Sequence, residues 1–324
     1  IFIPSTCPLF VLHNDEQNII VGGGGGSSKS GVKNKISLYK DDQLVTELEF
    51  GHELVVGLYK IEESSRFYVI TQKSVNLVEL LDTKFDVIST LKLQSEPQGH
   101  CISGRNLIVG MGSSLVYYSF LQNEIVIMHT QQLHTKHEIK KVQKIQTFAG
   151  KFLIVVASNV VVKIQQMCED KDDIIEGIIE HTDEELLIDY PSAVFQISEE
   201  SIGTVVLDRK KNFSTVSVFD LGFKLQKRFR VKNLITNAVF SGNFYFVTSY
   251  GQLVVYSQNY KKIFKKQLKI DNMITGMQVY QDKVLVTAID GFQKVEVEPV
   301  SGNCRGYLLM VASVMAVSFF YVLG

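Results

Sequence analysis

The chain has 324 residues, 45% of them hydrophobic, and its 33 basic and 34 acidic side chains leave a formal net charge of −1. That length exceeds an average domain but suits a single fold grown by radial repetition. The charge balance excludes the broadly basic surface that non-specific nucleic-acid binding requires, and the opening stretch has neither the basic start nor the long apolar run of a signal peptide.

In chain order, a strand-like stretch at 8–13 is followed by an apolar run at 18–22 (NIIVG), a glycine-rich loop, and a strand at 36–40 (ISLYK). Comparable runs recur at 66–71 (RFYVIT), 106–111 (NLIVGM), 151–157 (KFLIVVA), 201–207 (SIGTVVL), 243–248 (NFYFVT) and 282–287 (DKVLVT). Most are followed after a short turn by a second run, as at 74–80, 114–120, 251–257 and 291–297. A more polar third run comes next, as at 43–50 and 260–270. Four strands in each unit of about 40 residues is the spacing of propeller blades. The expected fold is therefore all-β: a seven-bladed WD-type β-propeller over residues 1–303, with the stretch at 8–13 completing the last blade and closing the ring. The WD dipeptide itself is absent. An acidic interval at 169–189 is expected as an exposed strand and loop on the fourth or fifth blade.

After Arg305 the chain reads GYLLMVASVMAVSFFYVLG without a charge. At about 1.5 Å per helical residue this stretch spans a bilayer core of about 30 Å. Tyr307 and Tyr321 near its ends suit the interfaces. Residues 304–324 are thus expected as a single transmembrane helix, the alternative being a buried C-terminal helix. Positive residues lie on its N-terminal flank, so the propeller is placed in the cytosol. On that topology the sequon at Asn212 stays unmodified. No two of Cys7, Cys101, Cys168 and Cys304 form a CxxC pair, so free thiols are expected, with Cys304 placed for palmitoylation beside the apolar tail. Of the histidines, His129, His134 and His137 come nearest to a cluster, in what reads as a polar surface loop.

The segment 21–35 (VGGGGGSSKSGVKNK) carries the most information. Five consecutive glycines suit a sharp turn or a close backbone approach. A P-loop is disfavoured because Ser28, not glycine, precedes Lys29, and because a strand rather than a helix follows. The GxGxxG dinucleotide pattern lacks its third glycine.

Cys7–Leu12, the glycines, and then Lys29-Ser30-Gly31-Val32-Lys33-Asn34 resemble the opening of the membrane-anchored exchange factors for the Sar GTPase, the prolactin regulatory element-binding protein family. The close match covers about 30 residues; a fifth glycine and Val32 in place of isoleucine depart from the pattern. The resemblance implies a guanine nucleotide exchange factor at the endoplasmic reticulum membrane that starts COPII vesicle formation, performing no covalent chemistry. It implies that Gly31, Val32, Lys33 and Asn34 engage the GTPase, with Val32 as the apolar tip. It also implies a potassium ion held by Ser30, Gly31, Val32 and Asn34, mainly through carbonyls. The implied partners are a Sar-type GTPase and the membrane, with no nucleic acid. The competing readings are a membrane-tethered propeller scaffold without exchange activity, a transcription factor, and a propeller hydrolase. Neutral charge and the anchor disfavour the second, and the lack of any acid–base constellation disfavours the third.

Overall fold

Within the repeats whose burial is described, burial falls from the second strand to the fourth, and this explains the sequence rhythm. The second strand is buried along its whole length, as in Ile19–Gly23, and the fourth is largely exposed, as in Gln43–Glu49. A strand flanked by two neighbouring sheets needs apolar residues on both faces, whereas an outermost strand needs them on alternate positions at most. The computed structural model describes residues 2–15, 18–26, 31–133, 138–147, 150–157, 160–166, 178–181, 191–222, 224–270, 272–280, 283–297 and 314–315.

Among these residues the strands form seven antiparallel sheets. The N-terminal strand β1 (Phe2–Pro4) belongs to the last sheet. The first sheet follows, from β2 (Leu9–Asn14), β3 (Ile19–Gly23), β4 (Lys35–Lys40) and β5 (Gln43–Glu49). The second is β6 (Val55–Lys60), β7 (Arg66–Thr71), β8 (Ser74–Leu81) and β9 (Lys84–Lys92), and the third β10 (Gly99–Ser103), β11 (Asn106–Met111), β12 (Ser114–Leu121) and β13 (Glu124–Gln132). The fourth is β14 (Ile139–Thr147), β15 (Gly150–Ala157), β16 (Val160–Gln166) and β17 (Ile178–His181). The fifth is β18 (Pro191–Ser198), β19 (Ser201–Asp208), β20 (Phe213–Asp220) and β21 (Leu225–Lys232), and the sixth β22 (Ile235–Ser241), β23 (Asn243–Thr248), β24 (Gln252–Tyr256) and β25 (Lys262–Gln267). The last sheet holds β26 (Ile274–Tyr280), β27 (Lys283–Ala288) and β28 (Gly291–Glu296), with β29 (Val314–Met315) beside β26.

The first strands of successive sheets touch in cyclic order, from β2 to β6 and onward to β26, and β26 touches β2 again. Most of these inner strands carry a register shift near their start, as at Leu9/Val11, Val55/Gly57, Ile235/Asn237 and Ile274/Gly276. Such bulges sharpen the local twist where strands converge on an axis. At Gly57 an added Cβ would lie 2.6 Å from Ile70 Cδ1, so the bulge is followed by a residue with no room for a side chain. The core lies between sheets. The fifth and sixth are joined by an aromatic cluster of Phe195, Phe229, Phe244, Phe246 and Tyr260, its rings 5.2–6.5 Å apart and T-shaped or tilted except for the stacked pair Phe244–Phe246. Phenylalanine and tyrosine thus supply the bulk in a chain that has no tryptophan.

Two sequence expectations are corrected here. The ring is closed by β1, which pairs antiparallel with β28 (Phe2↔Gln293, Ile3↔Phe292, Pro4↔Gly291), and the stretch at 8–13 is instead the inner strand of the first sheet. Three residues ending in proline carry too little periodicity to signal a strand, whereas the apolar run after them does. His129 lies on strand β13, tilted against Tyr117 at 5.8 Å, rather than in a loop; His134 and His137 lie outside the described residues. The acidic interval contributes β17, the outer strand of the fourth sheet. Among the described residues no helix is long and apolar enough to cross a membrane. The expected helix at 304–324 falls outside the described residues except for Val314–Met315, which pair with Gly276 and Met277. Cys7 and Cys101 are buried free thiols.

Candidate functional site

The loop between β3 and β4 is built by contact, not by flexibility alone. Gly23 lies flush on the chain crossing beneath it, where a Cβ would fall 1.9 Å from the Pro8 carbonyl oxygen. The next amide, Gly24 N–H, donates to that same oxygen at 2.9 Å. Gly24 has φ +148°, and a Cβ there would sit 2.1 Å from Asn34 Oδ1. Gly26 and Gly31 have φ of +76° and +67° in open space, so what they supply is the left-handed backbone.

Asn34 closes the base of the loop. It is buried, at 2% exposure. Its Nδ2 donates to the carbonyls of Gly26 at 3.0 Å and Gly51 at 2.8 Å, and its Oδ1 accepts from Gly26 N–H at 2.9 Å. Its own carbonyl accepts from Phe50 N–H at 2.7 Å. One amide side chain therefore ties both limbs of the loop together and anchors them to the turn after β5. Below it, the buried Lys35 ammonium donates to Glu47 at 2.6 Å and to Thr6 Oγ1 at 2.9 Å, and Ser37 donates to the same carboxylate at 3.0 Å. Burial raises the pKa of the Cys7 thiol, partly offset by its hydrogen bond with Ser5 and by the Lys35 charge, which favours the neutral thiol.

The residues singled out from sequence are brought together on the returning limb, but their roles differ. Gly31 and Lys33 are exposed. Lys33 reaches Glu49 at 2.5 Å, and that hydrogen bond raises its pKa. Val32 is half-buried and packs against the cluster of Ile3, Cys7, Leu9, Val21 and Phe292, instead of standing free as an apolar tip. The left-handed turn at Gly31 accompanies this return of the chain onto the core. Ser30 lies outside the described residues. Both ends of the Asn34 amide are engaged with backbone, so a cation here would draw on carbonyl oxygens of the limb.

Sequence reading missed Pro8 and Gly51, whose carbonyls complete the loop. It also missed a cavity of about 410 Å³ at the opposite end of the first sheet, lined by Asn14, Asp15, Tyr39, Asp41, Lys283 and Lys294. An ion pair between Lys294 and Asp42 bridges the first and last sheets there, and Lys60 holds Asp15 at 3.1 Å. Among the described residues no three metal-ligating side chains converge.

No family model matches the chain, and no curated protein does. Solved structures do. Sqt1 from Saccharomyces cerevisiae superposes with a TM-score of 0.66 at 10% identity, covering 91% of this chain and 98% of that one. The Pan2 WD40 domain from Neurospora crassa gives 0.63 at 9%, over 90% and 91%. The fold is that of a WD40-type β-propeller. BamB from Moraxella catarrhalis is similar over 97% of this chain and all of its own, with a TM-score of 0.56 at 9% identity. At these identities the likeness carries the propeller and nothing of its use.

Proposed function

We propose that this seven-bladed propeller is a guanine nucleotide exchange factor for a Sar-type small GTPase, held at the endoplasmic reticulum membrane by its C-terminal segment and acting in COPII vesicle formation. The observation carrying this reading is the glycine loop of the first sheet, pinned at its base by Asn34 and presenting Gly31 and Lys33 outward with Val32 half-exposed between them. An exchange factor works by binding the nucleotide-free GTPase more tightly than the loaded one, so that binding energy is set against magnesium and phosphate. A stiff loop performs this by shape, because a loop ordered beforehand loses little entropy on docking. Lys33, on the outer side, would exchange its ion pair with Glu49 for one with an acidic partner. A potassium ion at the carbonyls around Gly31 and Val32 would stiffen the limb further.

The test is release of labelled GDP from a Sar-type GTPase by the full chain. Acceleration is expected, with a loss of at least tenfold in Lys33→Glu and in Val32→Asp, and a fall when potassium is replaced by a bulky organic cation at equal ionic strength. Because Val32 packs on the core, Val32→Asp also lowers thermal stability, and Lys33→Glu is the cleaner probe. No acceleration by the full chain refutes the proposal. The packing of Val32 favours a second reading, a membrane-tethered propeller scaffold without exchange activity. That reading predicts GTPase binding, or none, with unchanged GDP release.

A further inference from the structure

The near-zero net charge conceals a strong segregation. Residues 191–270, which form the fifth and sixth sheets, hold 13 of the 33 basic residues and only 4 of the 34 acidic ones. This region carries +9, and the remainder −10. The basic side chains gather on the outermost strands and the turns beside them. Lys227, Arg230 and Lys232 are exposed on β21, and Lys262, Lys265 and Lys266 on β25, with Lys261 and Lys269 at the ends of β25.

Two of the four acids here, Asp208 and Asp220, are engaged locally. Asp220 accepts the amides of Gly222 and Lys224 at 2.9 Å, and Asp208 accepts Lys211 N–H at 2.9 Å. Arg230 lies 4.7 Å over the Phe213 ring, and Lys227 5.6 Å over that of Tyr260, which keeps both heads at the rim. None of the lysines on β25 forms a salt bridge among the described residues. The platform beneath is rigid, because the aromatic cluster joins the two sheets under these strands. A row of unpaired like charges on a stiff edge is held at an electrostatic cost unless an anionic surface is presented to it.

We propose that the outer edge of the fifth and sixth sheets is a docking face for an anionic phospholipid surface. Two observations favour lipid over other polyanions. The charged row is lysine-rich, and among the described residues its edge offers one freely exposed ring, Tyr250 at 58%, where base stacking uses a series of them; the rings of Phe213 and Tyr260 lie under cations. The last sheet, which holds β28, is also next to the sixth, and 19 uncharged, mostly apolar residues follow Arg305, of which Val314–Met315 lie against β26. The argument rests, in this last respect, on the membrane-anchor part of the proposed function. The anchor and the basic edge then meet one bilayer, and the glycine loop, two and three sheets round the ring, stays open to its partner.

The two parts separate in a vesicle flotation assay with the full chain. Binding to neutral phosphatidylcholine vesicles reads the tail alone. The increment on replacing about a third of the lipid with phosphatidylserine reads the basic edge, at roughly one order of magnitude or more for three lysines near the surface. The increment is expected to vanish in Lys262→Glu/Lys265→Glu/Lys266→Glu and to fall steeply between about 0.1 and 0.5 M salt. Because these side chains are exposed, the variant should keep the wild-type unfolding midpoint. Neutral binding without an anionic increment overturns the docking face and leaves the anchor standing. An increment without neutral binding supports the face and removes the anchor, as would follow if Val314–Met315 stay paired on β26. An increment insensitive to the triple reversal, or single-stranded RNA displacing the chain from anionic vesicles at stoichiometric concentration, overturns the assignment to lipid.

Discussion

Replacing Asn34 tests the loop directly. Asn34→Ala removes two donated hydrogen bonds and one accepted bond from a side chain that is 2% exposed. At about 1 kcal/mol for each bond the loss is about 3 kcal/mol, tempered where the freed carbonyls of Gly26 and Gly51 reach water. The loop can open without unfolding the ring, so much of this appears locally. Amide exchange at Gly24 and Gly26 should rise on the order of 100-fold, with a smaller fall in the global urea midpoint. Asn34→Asp is the sharper variant. It keeps the shape and the acceptor for Gly26 N–H, but it loses both donations and sets a carboxylate against two carbonyl oxygens. It should be no more stable than the alanine variant. Hydrogen-exchange mass spectrometry of residues 20–35 beside urea unfolding reads both effects. Unchanged loop protection in Asn34→Ala, or wild-type stability in Asn34→Asp, would refute the clamp.

Acid sensitivity should trace to His100. Burial lowers its pKa from 6.5 to about 4, against an opposing hydrogen bond to the backbone of Val56, and Tyr59 Oη lies 2.9 Å from Nδ1. The fold prefers the neutral ring. Its contribution is therefore intact above the unfolded value near 6.5 and is lost as the pH falls toward 4, by about 3 kcal/mol in all. The difference between wild type and His100→Gln in urea unfolding at pH 7, 5.5 and 4 isolates this term; a constant difference would count against it. Asn237, fully buried on β22 beside the bulge, has neither amide atom bonded among the described residues. The corresponding place on three other inner strands holds Gly57, Ala193 or Gly276, and on β2 it holds Val11. Asn237→Ala should consequently be neutral or stabilising by up to about 1 kcal/mol, because an unpaired amide is removed as volume is lost. A loss above about 2 kcal/mol in thermal unfolding would show that the amide is satisfied.

The repeat was legible because burial on two faces forces unbroken apolar runs, and these recur wherever a second strand occurs, as at 19–23, 66–71 and 106–111. The glycine loop was legible because only backbone constraint explains such a run. The division of labour within it was not. That Gly23 and Gly24 are required by Pro8 and Asn34, while Gly26 and Gly31 set backbone angles, depends on contacts 8 or more residues away. Val32 read as a tip because sequence gives its polarity and neighbours but not the direction of the turn before it. The basic edge escaped notice because counting charges over the whole chain averages +9 against −10.

The two ends of the propeller share one sheet, with β1 held against β28 by three residue pairs that join positions about 290 apart in the chain. During synthesis β1 emerges about 290 residues before β28 and must wait for it before it finds its place. Contacts of such long separation form late and slowly. Until β1 arrives the β28 edge has no partner strand, and an unpaired edge is the place where a second copy most readily pairs.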